Sequence, residues 1–208
     1  MRMVVAFALL TLAACSSAQV IGFGGCPDIR AVEEFDFNRY QGRWFQIARF
    51  YNAPEEEVRC QSANFTQKDG YLVALEQGVY GEEPYSYPVP IYRARDDESG
   101  RLYYASETDP GEFSVIYVDY ERVGLIHICK EYLWGFINVQ NNWITARQRR
   151  ISEEEMARVH RLVTEMGINL SKFKRTDQEG CPRVEGEEEE VDDGMGEGSD
   201  SVDEPVRQ

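Results

Sequence analysis

Residues 35–50 read FDFNRYQGRWFQIARF. Gly42, Arg43 and Trp44 stand there at the mouth of an alternating strand. Asp36, Asn38 and Gly42 before it favour turns, so the strand begins abruptly. Glycine lacks a Cβ, and a glycine two residues ahead of a large ring marks a place where the backbone must come close. The pattern is short, and a tryptophan at a strand start is also ordinary core. Its meaning depends on the rest of the chain.

Downstream, segments of strand character follow one another. They cover 43–50, 59–67, 71–80, 86–95, 101–106, 112–118, 125–131 and 143–149. Asp69-Gly70 is a hairpin turn signal. Pro84 breaks the chain, and Pro88 and Pro90 suit only an edge or an irregular segment. Asn141-Asn142 reads as part of a loop before the last strand. No helical periodicity interrupts this series. Eight short strands with hairpin connections predict an all-β fold, either an antiparallel sandwich or an up-and-down barrel. An eight-stranded antiparallel up-and-down barrel closes its own edges and encloses room for one small ligand.

A helix is expected only after the strands. Ser152 and Glu155 form a capping box, and Met156, Val159, His160 and Val163 recur at helical spacing. Gly167 ends it. The expected arrangement is one C-terminal α-helix packed on the outside of the barrel. A last short strand is expected within 168–173, leading to Cys181.

The chain has 208 residues, sufficient for one domain with a core and tails. Residues 1–18 read as a signal peptide, with Arg2 ahead of an apolar run too short to span a bilayer, and cleavage after Ala18. A competing reading takes 12–15, LAAC, as a lipobox with Cys15 lipidated and the protein anchored to a membrane. The domain then covers 19–182, with 20–25 a flexible lead-in, and 183–208 is an acidic, disordered tail. The net charge of −15 excludes the basic face that nucleic-acid binding requires. Cys26, Cys60, Cys129 and Cys181 remain after the leader, an even number suited to an extracellular, oxidising space. They contain no C-x-x-C, so no zinc site is expected, and no other metal or cofactor is indicated. Four cysteines allow three pairings, and spacing does not choose among them.

Taken together, the order of elements resembles the lipocalin family. Three marker motifs carry the resemblance: Gly42-Arg43-Trp44 opening the first barrel strand, Val118-Asp119-Tyr120 in a later turn, and Thr145-Ala146-Arg147 at the end of the last strand. Val118 stands where the family usually has Thr. Within the family the chain looks most like the apolipoprotein D branch and its bilin- and carotenoid-binding invertebrate relatives. Their flavour is seen in VDYERVGLIHIC at 118–129 and TDQEGCP at 176–182.

The resemblance implies a secreted carrier of a small hydrophobic ligand such as a fatty acid, sterol, retinoid, carotenoid or bilin. Membrane or lipoprotein-particle association enters as a further candidate partner. It also implies the pairs Cys26–Cys129 and Cys60–Cys181. Gly42, Trp44, Asp119, Tyr120 and Arg147 become scaffold residues, with the Arg147 guanidinium laid across the Trp44 indole at the closed end. Asn64-Phe65-Thr66 is an N-x-T sequon, so Asn64 faces out if glycosylated and Phe65 faces in. Asn169 heads a second sequon. Parity and resemblance place Leu72, Ala74, Glu76, Tyr80, Phe113, Val115, Tyr117 and Trp143 inward as candidate ligand contacts, alongside their role as barrel core.

An enzyme is the alternative. With all four cysteines committed to bridges, no thiol nucleophile is left. His127 is a wall histidine that could instead point inward as a haem ligand or base, and His160 lies on the helix. No catalytic set can be assembled from these residues.

Overall fold

The computed structural model describes residues 20–51, 55–107 and 110–184. The expected leader, Cys15 and all but the first two residues of the expected acidic tail lie outside the described residues.

After a short strand β1 (Val20–Phe23), the chain makes one helical turn, α1 (Phe37–Tyr40), and enters the barrel. Asp36 caps that turn, its Oδ1 accepting from the Asn38 amide at 2.8 Å. The barrel strands are β2 (Gly42–Phe50), β3 (Val58–Lys68), β4 (Tyr71–Tyr80), β5 (Glu83–Arg93), β6 (Arg101–Tyr104), β7 (Gly111–Asp119), β8 (Val123–Tyr132) and β9 (Ile137–Ala146). Each pairs antiparallel with the next, and β9 returns to β2, which closes the eight-stranded barrel. β1 adds to β9 on the outside, and β10 (Phe173–Arg175) adds to β2.

The lead-in expected over 20–25 is therefore partly strand. Its register, Val20 opposite Gln140 to Phe23 opposite Ile137, uses the β9 edge left open where β2 diverges. The last barrel strand starts at Ile137, six residues earlier than expected. Asn141 and Asn142, expected in a loop, sit inside it opposite Ile128 and His127. Turn-forming residues tolerate a strand when cross-strand partners fix them, and tertiary pairing overrides local propensity here. The strand expected within 168–173 occurs later, after a 3-10 turn at Leu170–Lys172.

The proline-rich β5 is a full strand paired with β4 along its whole length. Pro84, Pro88 and Pro90 share one parity, and the Pro90 carbonyl accepts from Ala105 on the β6 side. All three missing donors thus face β6, whose pairing with β5 covers only Ile91 to Arg93. None of the β4 hydrogen bonds is lost, which explains how three prolines fit within a sheet.

Two apolar clusters lie on opposite sides of the sheet. The inner one joins Phe35, Tyr40, Trp44, Phe65, Leu72 and Val115 at the closed end. The outer one joins Phe45, Ile116, Leu125 and Ile144 to helix α2 (Glu153–Glu165) through Met156, Val159 and Val163. Ser152 caps α2 by accepting from the Glu155 amide at 3.2 Å. His160, included in the expected apolar stripe, is exposed, and Leu162 and Met166 take its place at the margin of the packed face. Burying each of these apolar side chains is worth about 1.5–3 kcal/mol, which holds the helix to the barrel wall.

Candidate ligand-binding site

The closed end is built first. Trp44 is 2% exposed, and its indole Nε1 donates to the Tyr40 carbonyl at 2.9 Å. Arg147 follows the last residue of β9 and lies over the indole, 4.0 Å from the ring centroid. Its Nε donates to the Tyr120 carbonyl at 2.8 Å, Nη1 to the carbonyls of Gln41 and Arg43 at 2.8 and 3.0 Å, and Nη2 to that of Arg39 at 3.0 Å. Gly42 has φ +89°, and a Cβ there would stand 3.3 Å from Arg147 Nη1. Tyr120 accepts from the Asp36 amide at 2.8 Å, and Asp119 caps its own turn by accepting from the Glu121 amide at 3.1 Å. The three sequence motifs thus meet in one structural plug.

Above this floor a cavity of about 740 Å³ opens toward the other end of the barrel. Successive inward residues of β4 set its depth. Leu72 and Ala74 are fully buried in the floor, Glu76 is the first on the cavity wall, and Tyr80 stands half exposed at the rim. β5 contributes the alternating set Tyr85, Tyr87, Val89 and Ile91. Phe65, Tyr104, Phe113, Ile126, Ile128 and Trp143 complete a wall rich in aromatic rings. This composition suits an elongated apolar molecule.

The wall also carries a polar cluster. Tyr85 Oη donates to Gln61 Oε1, and Gln61 Nε2 donates to Glu76 Oε2 at 2.7 Å. Gly78 permits this, since a Cβ there would lie 2.6 Å from the Tyr85 hydroxyl. Burial, with the neighbouring Glu55 charge adding to it, pushes the Glu76 carboxyl up to about 7. Tyr40 is 1% exposed on the floor, and its hydroxyl has no hydrogen-bond partner among the described residues.

Of the expected inward residues, Phe65, Glu76, Tyr80, Phe113 and Trp143 line the cavity. Leu72, Ala74 and Val115 also point inward but are packed beneath it, each at 0% exposure. Tyr117 is a correction. A bulge between Val115 and Tyr117 breaks the alternation, so Ile116 and Tyr117 both join the outer cluster. The Tyr117 hydroxyl meets Arg158 of α2 at 2.5 Å.

His127 alternates with the cavity-lining Ile126 and Ile128 and faces outward. It is 6% exposed, its Nδ1 is 2.8 Å from Asn142 Oδ1, and burial lowers its pKa. An inward haem or base role is thereby overturned. The four cysteines form Cys26–Cys129 and Cys60–Cys181, so none of them offers a thiol. Asn64 faces outward, half buried, and Asn169 is exposed.

Sequence reading missed Gln61, Tyr85, Tyr87, Lys130 and Asn141 on the wall. The β5 signal was present as Tyr85-x-Tyr87-x-Val89-x-Ile91, masked by the intervening prolines. Asn141 was hidden by the late start assigned to β9.

An antiparallel barrel plugged by arginine over tryptophan at one end, and open on an apolar calyx at the other, defines a calyx-type binding fold. The chain belongs to the lipocalin family, whose lipocalin-like domain matches residues 35–178. It is similar to apolipoprotein D of Macaca fascicularis, 29% identical over 182 residues that cover 84% of this chain and 94% of the relative. It is also similar to the bilin-binding protein of Pieris brassicae, 27% identical over 126 residues, 59% of this chain and 67% of that one. Insecticyanin from the tobacco hornworm Manduca sexta shares the fold with a TM-score of 0.70 at 18% identity, covering 77% of this chain and 89% of that chain.

Proposed function

We propose that this protein is an extracellular carrier that binds and transports a small hydrophobic molecule in its calyx. The observation that carries the reading is the 740 Å³ cavity, walled by Phe65, Tyr87, Phe113, Ile126 and Trp143 and bounded by a packed floor. Burying apolar ligand surface in this already formed cavity yields about 25 cal/mol per Å². Similarity to a bilin-binding protein supports a ligand of this kind. Binding rather than catalysis fits the chemistry of the site, where the cysteines are bridged and His127 faces away. Two disulfides support an oxidising, extracellular compartment, as does the leader-like composition of residues 1–18. Among the described residues no helix is long and apolar enough to cross a membrane.

The test is quenching of tryptophan fluorescence by retinoic acid, arachidonic acid, progesterone, biliverdin and a carotenoid. A Trp134→Phe background removes the signal of an indole that is 95% exposed. Saturable micromolar quenching by one class, reduced at least tenfold by Trp143→Ala, is the expected result. If no class quenches and organic extraction of the native protein yields no ligand, the reading fails.

Contact with a membrane or lipoprotein particle belongs to the same proposal. The β8–β9 hairpin exposes Leu133, Trp134 and Phe136 beside the calyx rim at 59, 95 and 73%, and Phe23 next to them at 92%. Apolar tips of this kind favour a lipid interface. Phosphatidylcholine vesicles should co-float with the protein and release the Trp134→Ser/Phe136→Ser variant. Equal flotation of both would remove this part of the proposal.

A further inference from the structure

We infer that the inner polar cluster of Glu76, Gln61 and Tyr85, with Tyr40 on the floor, selects ligands whose deep end donates a hydrogen bond or carries positive charge, an alcohol or an amine, over ligands ending in an anion. The inference rests on the carrier reading and specifies which cargo that calyx accepts.

Glu76 is the first inward β4 residue above the packed Leu72 and Ala74, and it lies opposite Ala63, which lies opposite Trp44. A ligand that fills the calyx to its floor places its leading end at this level. The Tyr85 hydroxyl orients the Gln61 amide, and that amide donates to Glu76 Oε2. Oε2 is thus an acceptor in either protonation state. The other carboxylate oxygen accepts a hydrogen bond when ionised and donates one when protonated. Tyr40 adds a buried hydroxyl without a partner among the described residues, which an alcohol or amine can satisfy.

The surrounding charges favour the same selection. Among the described residues Glu76 has no ion-pair partner. Glu55 adds a second negative group on the wall, itself held 3.2 Å from Arg49. Arg43 acts on Glu76 from the outer face of the sheet, where it is bound to Gln77 at 2.7 Å and Ser62 at 3.3 Å. Tyr80, Tyr85 and Tyr87 are the phenols on the same side of the wall. Lys130, the cation of the lining, lies on β8 two residues before the rim residue Tyr132. An anionic head at the floor would therefore face the Glu76 carboxylate, with the Glu55 charge acting from farther up the wall, in a low-dielectric pocket where like charges repel strongly. Protonation of Glu76 near neutral pH relieves that repulsion, so the selectivity weakens in acid.

The test uses the full mature chain with Trp134→Phe and three probes of one chain length: dodecylamine, dodecan-1-ol and dodecanesulfonate. The amine stays cationic and the sulfonate anionic at both pH 5.5 and pH 8.5. Quenching by the amine is counted only where dodecan-1-ol displaces it, which excludes binding to the acidic surface. At pH 8.5 the amine and alcohol should bind at least tenfold more tightly than the sulfonate, and at pH 5.5 the gap should fall below threefold. Glu76→Gln should remove the pH dependence of the gap. Tyr40→Phe, which keeps the ring packing, should weaken dodecan-1-ol at least threefold. A gap of the same size at pH 5.5 and pH 8.5 in wild type, unchanged in Glu76→Gln, overturns the inference. So does tightest binding of the sulfonate, lost in Lys130→Gln. If none of the probes binds, it is the carrier reading itself that fails.

Discussion

Arg147 stands 4.0 Å above the Trp44 ring and at the same time bonds four backbone carbonyls from two separate stretches of chain. Three of those carbonyls lie along residues 39–43, which run from α1 into β2, and the fourth is that of Tyr120 in the β7–β8 turn. One side chain thereby satisfies acceptors that would otherwise be left without donors at the closed end. Arg147→Ala should cost about 3 kcal/mol in urea unfolding, from charged hydrogen bonds and the cation–π contact together. Arg147→Lys should recover only part of that, because an ammonium cannot reproduce the planar fork. A loss below 1 kcal/mol for Arg147→Ala would show that the plug is not a stability element. Gly42→Ala should cost about 1–2 kcal/mol separately, because φ +89° is strained for any residue with a Cβ.

The disulfides act on longer stretches of chain. Cys60–Cys181 spans 121 residues and ties the bulge of β3 to the segment after β10, while Cys26–Cys129 spans 103 and pins the N-terminal arm on β8. On the chain-entropy model each contributes about 4–5 kcal/mol. Cys60→Ser/Cys181→Ser should lower the unfolding free energy by that order and destabilise the protein more than any single calyx substitution. A midpoint in urea unchanged by removal of the pair would mean that the segment after β10 is held by other contacts, such as the bonds from Gln178 Nε2 to the carbonyls of Gln46 and Gln61.

The succession of antiparallel strands and the outer helix were legible from local signals, alternation and a capping box, whereas the choice of barrel over sandwich and the closed-end plug followed from the resemblance to lipocalins. The calyx wall was legible only in part. Parity carried Phe65, Glu76 and Phe113 to the correct face, but a single inserted residue reverses parity, and the bulge before Tyr117 sent that ring to α2. β5 was obscured for a different reason. A proline is destructive only when its missing donor is needed, and the side of the strand facing a short neighbour is known only after pairing is established. The Gln61–Glu76 bond joins residues fifteen positions apart on adjacent strands, which depends on register rather than composition.

The β8–β9 hairpin carries strain that a substitution can remove. Leu133 and Trp134 both adopt left-handed backbone, with φ 51° and 57°, at positions without glycine. Trp134 is 95% exposed, so its ring contributes almost no burial. Trp134→Gly should therefore raise stability by about 0.5–1 kcal/mol, the relieved strain less the added freedom of the unfolded glycine. Urea midpoints measured on the two proteins decide this. A loss of stability in Trp134→Gly would mean that the ring packs somewhere in solution.

Glu76 gives a pH dependence whose sign is fixed by the direction of its shift. The unfolded carboxyl titrates near 4.5, and in the fold burial raises it to about 7. Between those values the native state keeps a proton that the unfolded state has released. Stability from this group is thus fully present below pH 4.5, declines as pH rises through 7, and is flat above. Discounted for the partial exposure of the side chain, the decline amounts to about 1–3 kcal/mol. His127 works in the opposite sense, since burial lowers its pKa and its protonation below the unfolded value near 6.5 destabilises the fold. The two are separated by subtraction. Glu76→Gln should match wild type near pH 4 and exceed it at pH 8 by that amount, leaving the His127 contribution common to both. Urea unfolding at half-unit steps from pH 4 to pH 8 gives the difference curve. A flat curve would place the carboxyl at its ordinary value and so in contact with water or a counter-charge.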